Sequence, residues 1–191
     1  NGKRSICKRL MVEINLNQEQ LKWCDDHAKE IVEHYGGDKT RGSGSYNHNK
    51  ISSNWIGVKS EVAAAVWLRQ NFEDSEVLPY FIDFKNSRNK PDIGLFDNFI
   101  EVKGLRNKDW DKWKRCIPPN QLKKYVDRKA IVIWTTTEGS ITDGNVKLKG
   151  WNYASDVKDN GVYLRTICDQ TWLKDDSLMR SMGDLKEKLI K

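Results

Sequence analysis

Long apolar runs are missing from this chain. Nothing in its 191 residues approaches the ~20 consecutive apolar residues that a membrane-spanning helix needs. The four cysteines, Cys7, Cys24, Cys116 and Cys168, form no CxxC pair, and none stands at zinc-finger spacing from a histidine. A structural zinc site is therefore not expected, and reduced thiols inside a cell are the simplest reading. Histidine is scarce. His27, His34 and His48 are scattered, and solvated positions are expected for the first two. No GxSxG elbow or Cys–His pairing suggests covalent catalysis. No charged-then-apolar leader pattern opens the sequence. The one Gly-x-Gly, Gly42 to Gly44, is not followed by GK[ST], so it is not a phosphate loop.

Charge, by contrast, is abundant. Charged residues make up 31% of the chain against 38% apolar, and the net charge is +6. A basic balance leans toward an anionic partner. Its distribution says more: between Lys85 and Lys129 stand thirteen Lys/Arg against six Asp/Glu. Acids embedded in so basic a segment suggest a metal site beside a phosphate-binding surface.

The length fits one domain with a real core. Residues 18–35 carry Leu21, Cys24, Ala28, Ile31 and Tyr35 at helical spacing, which predicts an amphipathic helix. Residues 36–50, rich in Gly, Ser and Asn, read as a mobile loop. A helix is expected over 57–72, and a strand over 76–84 that Pro79 interrupts. A hairpin follows over 90–104, then a long polar connection over 105–120. A helix is expected over 119–129, and a buried strand over 130–137 from its apolar, β-branched run. Two further strands, over 145–151 and 161–167, precede a closing helix over 175–191. No repeat and no linker divides the chain. The order αβββαβ with a β-rich tail predicts an α/β domain on a mixed sheet.

The hairpin "KPDIGLFDNFIEVKG" carries chemistry. Side chains alternate along a strand, so Phe99, Glu101 and Lys103 share one face. A two-residue turn at Asp97-Asn98 would set Asp92 opposite Lys103 and Gly94 opposite Glu101. Asp92, Glu101 and Lys103 would then converge, with Gly94 leaving a pocket between them. Ile93, Leu95, Ile100 and Val102 would anchor the other face. Two close carboxylates repel unless a cation lies between them, and all-oxygen ligation suits Mg²⁺ or Mn²⁺. A neighbouring lysine can stabilise charge on a phosphoryl oxygen or position a water. On the preceding helix, Val58, Glu61, Ala65, Leu68 and Phe72 form one stripe. Glu61 thus faces inward, where a carboxylate needs a partner: a metal, or else Lys59 or Arg69.

In this order the residues resemble the PD-(D/E)xK, restriction-endonuclease-like nuclease superfamily. "PD" at 91–92 and "EVK" at 101–103 match its motif, and "GVKSE" resembles the helix-borne glutamate that precedes it. "QLKKY", Gln121 to Tyr125, resembles the QxxxY motif of RecB-type members. "NVKLKGW" loosely resembles a strand of phage-encoded nucleases of this type. The resemblance covers about residues 55–137 and implies a restriction-endonuclease-like core, with a mixed central sheet flanked by helices. It implies a divalent metal, Mg²⁺ with Mn²⁺ as substitute, held by Asp92, Glu101, the Val102 carbonyl and Glu61. Lys103 would orient or activate the attacking water, and Gln121 and Tyr125 would organise the site. The implied activity is hydrolysis of DNA phosphodiesters in recombination, repair or phage DNA processing, in the cytoplasm of a bacterial or phage-infected cell. DNA is preferred over RNA on the resemblance alone. A sequence-specific restriction endonuclease and a catalytically silent nucleic-acid-binding module are the alternatives, and a homodimer or a protein partner is open.

The segment "LRNKDWDKWKRC" interleaves Arg106, Lys108, Lys112, Lys114 and Arg115 with Trp110 and Trp113. Basic side chains suit phosphates and indoles can stack on bases, so these residues, with Lys123 and Lys124, are the expected nucleic-acid contacts. The two tryptophans could equally fill the core beneath the loop. Trp67 and Trp134 are expected core residues.

Overall fold

A computed structural model describes residues 11–35, 50–87, 89–165 and 169–190. The chain forms a mixed, curled six-stranded sheet flanked by helices, in the order β1-β7-β6-β4-β3-β2. Its strands are β1 (Val12–Asn15), β2 (Val77–Pro79), β3 (Ile93–Leu95), β4 (Asn98–Arg106), β6 (Ile131–Thr137) and β7 (Asn145–Tyr153). Among the described residues only β4 and β6 pair in parallel. A parallel pair requires a crossover, which here holds a four-residue helix α3 (Trp110–Trp113), the short β5 (Cys116–Ile117) and α4 (Pro119–Asp127). β5 joins β8 (Val162–Arg165) and β9 (Asp169–Trp172) in a separate small sheet, ordered β5-β9-β8.

Each face of the large sheet carries its own core. Along β6, Ile131 and Ile133 enter one cluster with α1 (Gln18–Tyr35) and α2 (Ile51–Asn71). Val132 and Trp134 enter the other, with Leu122 and Tyr125 of α4 and Val157 of α5 (Ala154–Asn160). β4 obeys the same alternation: Ile100 and Val102 face α2, while Phe99 packs on the α4 side. Glu101 and Lys103 must therefore face α4. Helix α2 crosses β4 closely at Gly104, where a β-carbon would stand 2.4 Å from Ser60 Oγ and 3.1 Å from the Ile56 carbonyl oxygen. Buried Ala63, Ala64 and Ala65 let α1 and the sheet approach α2 from different sides, so α2 is wrapped more widely than one stripe predicts.

Several expectations over 11–191 need amending. Helix α1 spans the predicted residues, but α2 begins at Ile51. The strand expected over 76–84 stops at Pro79 and becomes a 3₁₀ turn, Tyr80–Asp83. The terminal helix shrinks to α6 (Met182–Leu189), because Ser181 and Asp184 form a reciprocal cap at its start. Strands β1, β5 and β9 and helices α3 and α5 were not expected, β5 and α3 lying within the polar connection expected over 105–120. Of the loop expected over 36–50, all but Lys50 lies outside the described residues. His27, expected to be solvated, is buried, its ring stacked 4.5 Å from that of Trp23. Trp67 and Trp134 are core residues as expected.

Candidate active site

The β3–β4 hairpin pairs Leu95 with Asn98, Gly94 with Phe99 and Ile93 with Ile100. Its turn is therefore Phe96-Asp97, not Asp97-Asn98, and Phe96 takes a left-handed φ of 51°. This shifts the register by two residues, which preserves the faces, since side chains alternate with period two. Asp92 now lies level with Glu101 instead of Lys103. Past the last ladder pair, the Asp92 carboxylate accepts the Val102 amide at 2.8 Å. Its main-chain carbonyl accepts the Phe81 amide at 3.2 Å. Gly94 leaves no pocket: a β-carbon there would sit 2.9 Å from the Tyr80 ring, which fills the space.

Four other groups lie within electrostatic reach of Asp92. Glu101 is buried at 4% exposure. Lys103 places its ammonium 5.1 Å from the centre of the Tyr125 ring. Tyr125, buried on α4, donates its hydroxyl to Gln121 Oε1 at 3.3 Å, as residues four apart on a helix can. Glu61, on α2, interacts with Asp92, Lys103 and Glu101 through its charge. The two partners it might otherwise take are committed: Lys59 donates to the carbonyls of Glu138, Ser140 and Asp143, each at 2.8 Å, and Arg69 pairs with Asp74 at 2.8 Å.

These groups shift one another's protonation. Burial, then the charge of Asp92, pushes the Glu101 carboxyl up to about 8, against opposition from Lys103, Tyr125 and Lys124. Burial also raises Asp92, opposed by Lys103, the Val102 amide and Lys124. Glu61 is pushed well above the carboxylate range by burial and by Asp92, with Lys103 opposing. Burial pulls Lys103 down, but Tyr125, Asp92 and Glu101 outweigh it and hold the ammonium above its usual value. Burial raises the Tyr125 phenol, against the pull of Lys103. Three carboxyls that each favour a proton around one charged lysine are short of positive charge.

Among the described residues no three His, Cys, Asp or Glu side chains are gathered closely enough to hold a metal ion. The expected cage of Asp92, Glu101 and Glu61 is thus not drawn together. Asp92, Glu101 and the Val102 carbonyl remain as a donor set. A strand residue turns its N–H and C=O to the same edge, so the Val102 carbonyl faces the side from which Asp92 takes its amide. All these donors are hard oxygens, which fits Mg²⁺ or Mn²⁺.

The basic segment divides on inspection. Lys108, Lys112 and Lys123 are exposed, with Lys112 resting 5.0 Å from the Trp113 ring centre. Arg106 is exposed and pairs with Asp109 at 3.0 Å, and Lys114 pairs with Asp176 at 3.0 Å. Arg115 is not a surface cation. It is fully buried, and its guanidinium donates to the carbonyls of Leu173 and Lys174 at 2.9 and 3.0 Å and to Asp176 at 2.7 Å. Trp110 packs against the α4 core with Lys149 over its ring. Lys124 belongs to the acid group, since it lowers both Asp92 and Glu101. Its signal was present in the sequence: with Gln121 and Tyr125 it falls at i, i+3 and i+4, one helical face. A surface concavity of about 580 Å³ lies elsewhere, between the end of α2 and Phe96.

Comparison with family models, with curated proteins and with solved structures gives no match for the chain.

Proposed function

We propose that this protein is a divalent-metal-dependent nuclease of the PD-(D/E)xK kind, hydrolysing phosphodiester bonds of DNA. The observation that carries the proposal is the junction of Asp92 and Glu101 with Lys103, tied by the bond from the Val102 amide and roofed by Tyr125. A divalent cation bound by Asp92, Glu101 and the Val102 carbonyl would polarise the scissile phosphate and favour deprotonation of water. Lys103, held charged by its neighbours, orients the water and offsets charge on the phosphoryl oxygens. The water oxygen forms the new P–O bond, the bond to the 3′ oxygen breaks, and the water's proton ends on that oxygen. The products are a 5′-phosphate and a 3′-hydroxyl. Tyr125, hydrogen-bonded to Gln121, packs against the Lys103 ammonium and limits its travel. Lys124 supplies a second positive charge beside the acids.

The test is a cleavage assay on linear and closed circular DNA, single- and double-stranded, with Mg²⁺, Mn²⁺ or EDTA. Metal-dependent cleavage that Lys103→Ala abolishes is expected. Loss of linear forms alone would make the enzyme an exonuclease, and cutting of circles an endonuclease. DNA binding indifferent to Mg²⁺, with no turnover, would replace the proposal with a non-catalytic binding module.

A further inference from the structure

His27 reaches Asp92 through one residue, Phe81. Its Nε2 lies 3.1 Å from the Phe81 carbonyl oxygen, buried. The amide of the same Phe81 donates to the Asp92 carbonyl at 3.2 Å. Phe81 is thus held at both ends, by helix α1 on one side and by the acid-bearing hairpin on the other. The turn that carries it, Tyr80–Asp83, buries the Phe81 side chain in the core and lays the Tyr80 ring over Gly94, while Ile82 is 50% exposed and Asp83 is exposed. The His27 ring is itself fixed, stacked on Trp23 and edge-on to Phe84 at 5.2 Å. Helix α1 is anchored in turn to α2, where the Trp55 indole donates to Asp25 at 3.0 Å.

We infer that His27 is a positioning residue for Asp92, acting through the Phe81 peptide groups. The inference rests on the reading of Asp92 as a metal ligand. Two main-chain amides hold Asp92: that of Phe81, which donates to its carbonyl, and that of Val102, which donates to its carboxylate. Without the imidazole, the Phe81 carbonyl loses a buried donor, and the turn is left with ring contacts to α1, from Trp23 to Phe81 and from His34 and Tyr35 to the adjoining Phe84. The Asp92 backbone then shifts relative to β4. A small hard cation demands near-ideal oxygen geometry, so the shift is felt as metal affinity.

The experiment uses the full chain, stripped with EDTA. Mn²⁺ binding is measured by calorimetry and amide hydrogen exchange by NMR, for wild type, His27→Ala and His27→Gln. His27→Ala should weaken Mn²⁺ about tenfold, the low end for loss of a group supporting a ligand. Exchange of the Phe81 and Val102 amides should quicken together. The glutamine amide can donate to the same carbonyl, so His27→Gln should restore most of both. Equal Mn²⁺ affinity and unchanged exchange in His27→Ala would overturn the inference. So would equal weakening by both variants with a parallel loss of thermal stability, which would make His27 mere packing. Failure of wild type to bind Mn²⁺ would remove the metal reading instead. The exchange pattern would then decide on the brace by itself: coupled quickening that glutamine rescues would uphold it, and no change would end it.

Discussion

Glu101 is a carboxyl whose surroundings favour its proton. Burial and the charge of Asp92 raise it to about 8 from a reference of 4.5. A folded-state pKa above the unfolded value means that the folded protein binds the proton more tightly. The stabilisation is complete below the unfolded value and is lost as pH rises through about 8. The metal-free protein should therefore melt at a lower temperature as pH climbs through that window. Glu101→Gln removes the ionisation, so its melting temperature should fall less over the window and exceed wild type at the alkaline end. The same variant should not cleave DNA. Thermal melts in EDTA across the window check this, and parallel curves for the two proteins would show that Glu101 does not titrate as the site requires. Mg²⁺ should raise the wild-type melting temperature most at the alkaline end, where the carboxylate is free to bind it.

At the scale of elements, the site depends on how closely α2 can lie on β4. That approach passes over Gly104, so Gly104→Ala inserts a methyl into occupied space. Overpacking of this sort costs about 1–3 kcal/mol, readable by urea denaturation. The helix that must yield is the one carrying Glu61, so cleavage should fall more than stability alone explains. Full activity in a destabilised Gly104→Ala protein would detach Glu61 from the chemistry. The elements legible in the sequence were those with strong periodicity: α1, α4 and the apolar run of β6 each answer to a simple spacing rule. The hairpin was misread by two residues because its turn lacks the usual Asn-Gly or Asp-Gly signal and instead bends a phenylalanine into left-handed backbone. Period-two alternation nevertheless kept Asp92, Glu101 and Lys103 on one face. Strand β1 has four residues and α5 seven, too short for a pattern to rise above its surroundings, and both are fixed by packing. Arg115 was opaque for another reason. A cation in a charged run reads as surface, and only the fold reveals the main-chain carbonyls that it meets, as it does for Lys59, which was offered as a partner of Glu61 and meets three carbonyls instead.

At the scale of the whole molecule, the positive charge splits into cations that hold the fold and cations free to meet a polyanion. Arg115 ties the start of β5 to the tail at Leu173 and Lys174, and Lys59 closes the loop after β6. Lys108, Lys112 and Lys123 face solvent. If the basic crossover lies along DNA, the two classes must separate in a salt titration. Each lysine that neutralises a phosphate contributes about 0.9 to the slope of log affinity against log salt. Lys108→Ala, Lys112→Ala and Lys123→Ala should each flatten that slope by about this amount and leave stability within about 0.5 kcal/mol. Arg115→Met should do the reverse. It leaves buried carbonyls without their donor, at a cost of about 2–4 kcal/mol, and keeps the wild-type slope. Fluorescence anisotropy on a labelled duplex over a range of salt, paired with urea denaturation, reads both quantities. A slope unchanged in all three lysine variants would move the DNA path off the crossover and onto another face of the molecule.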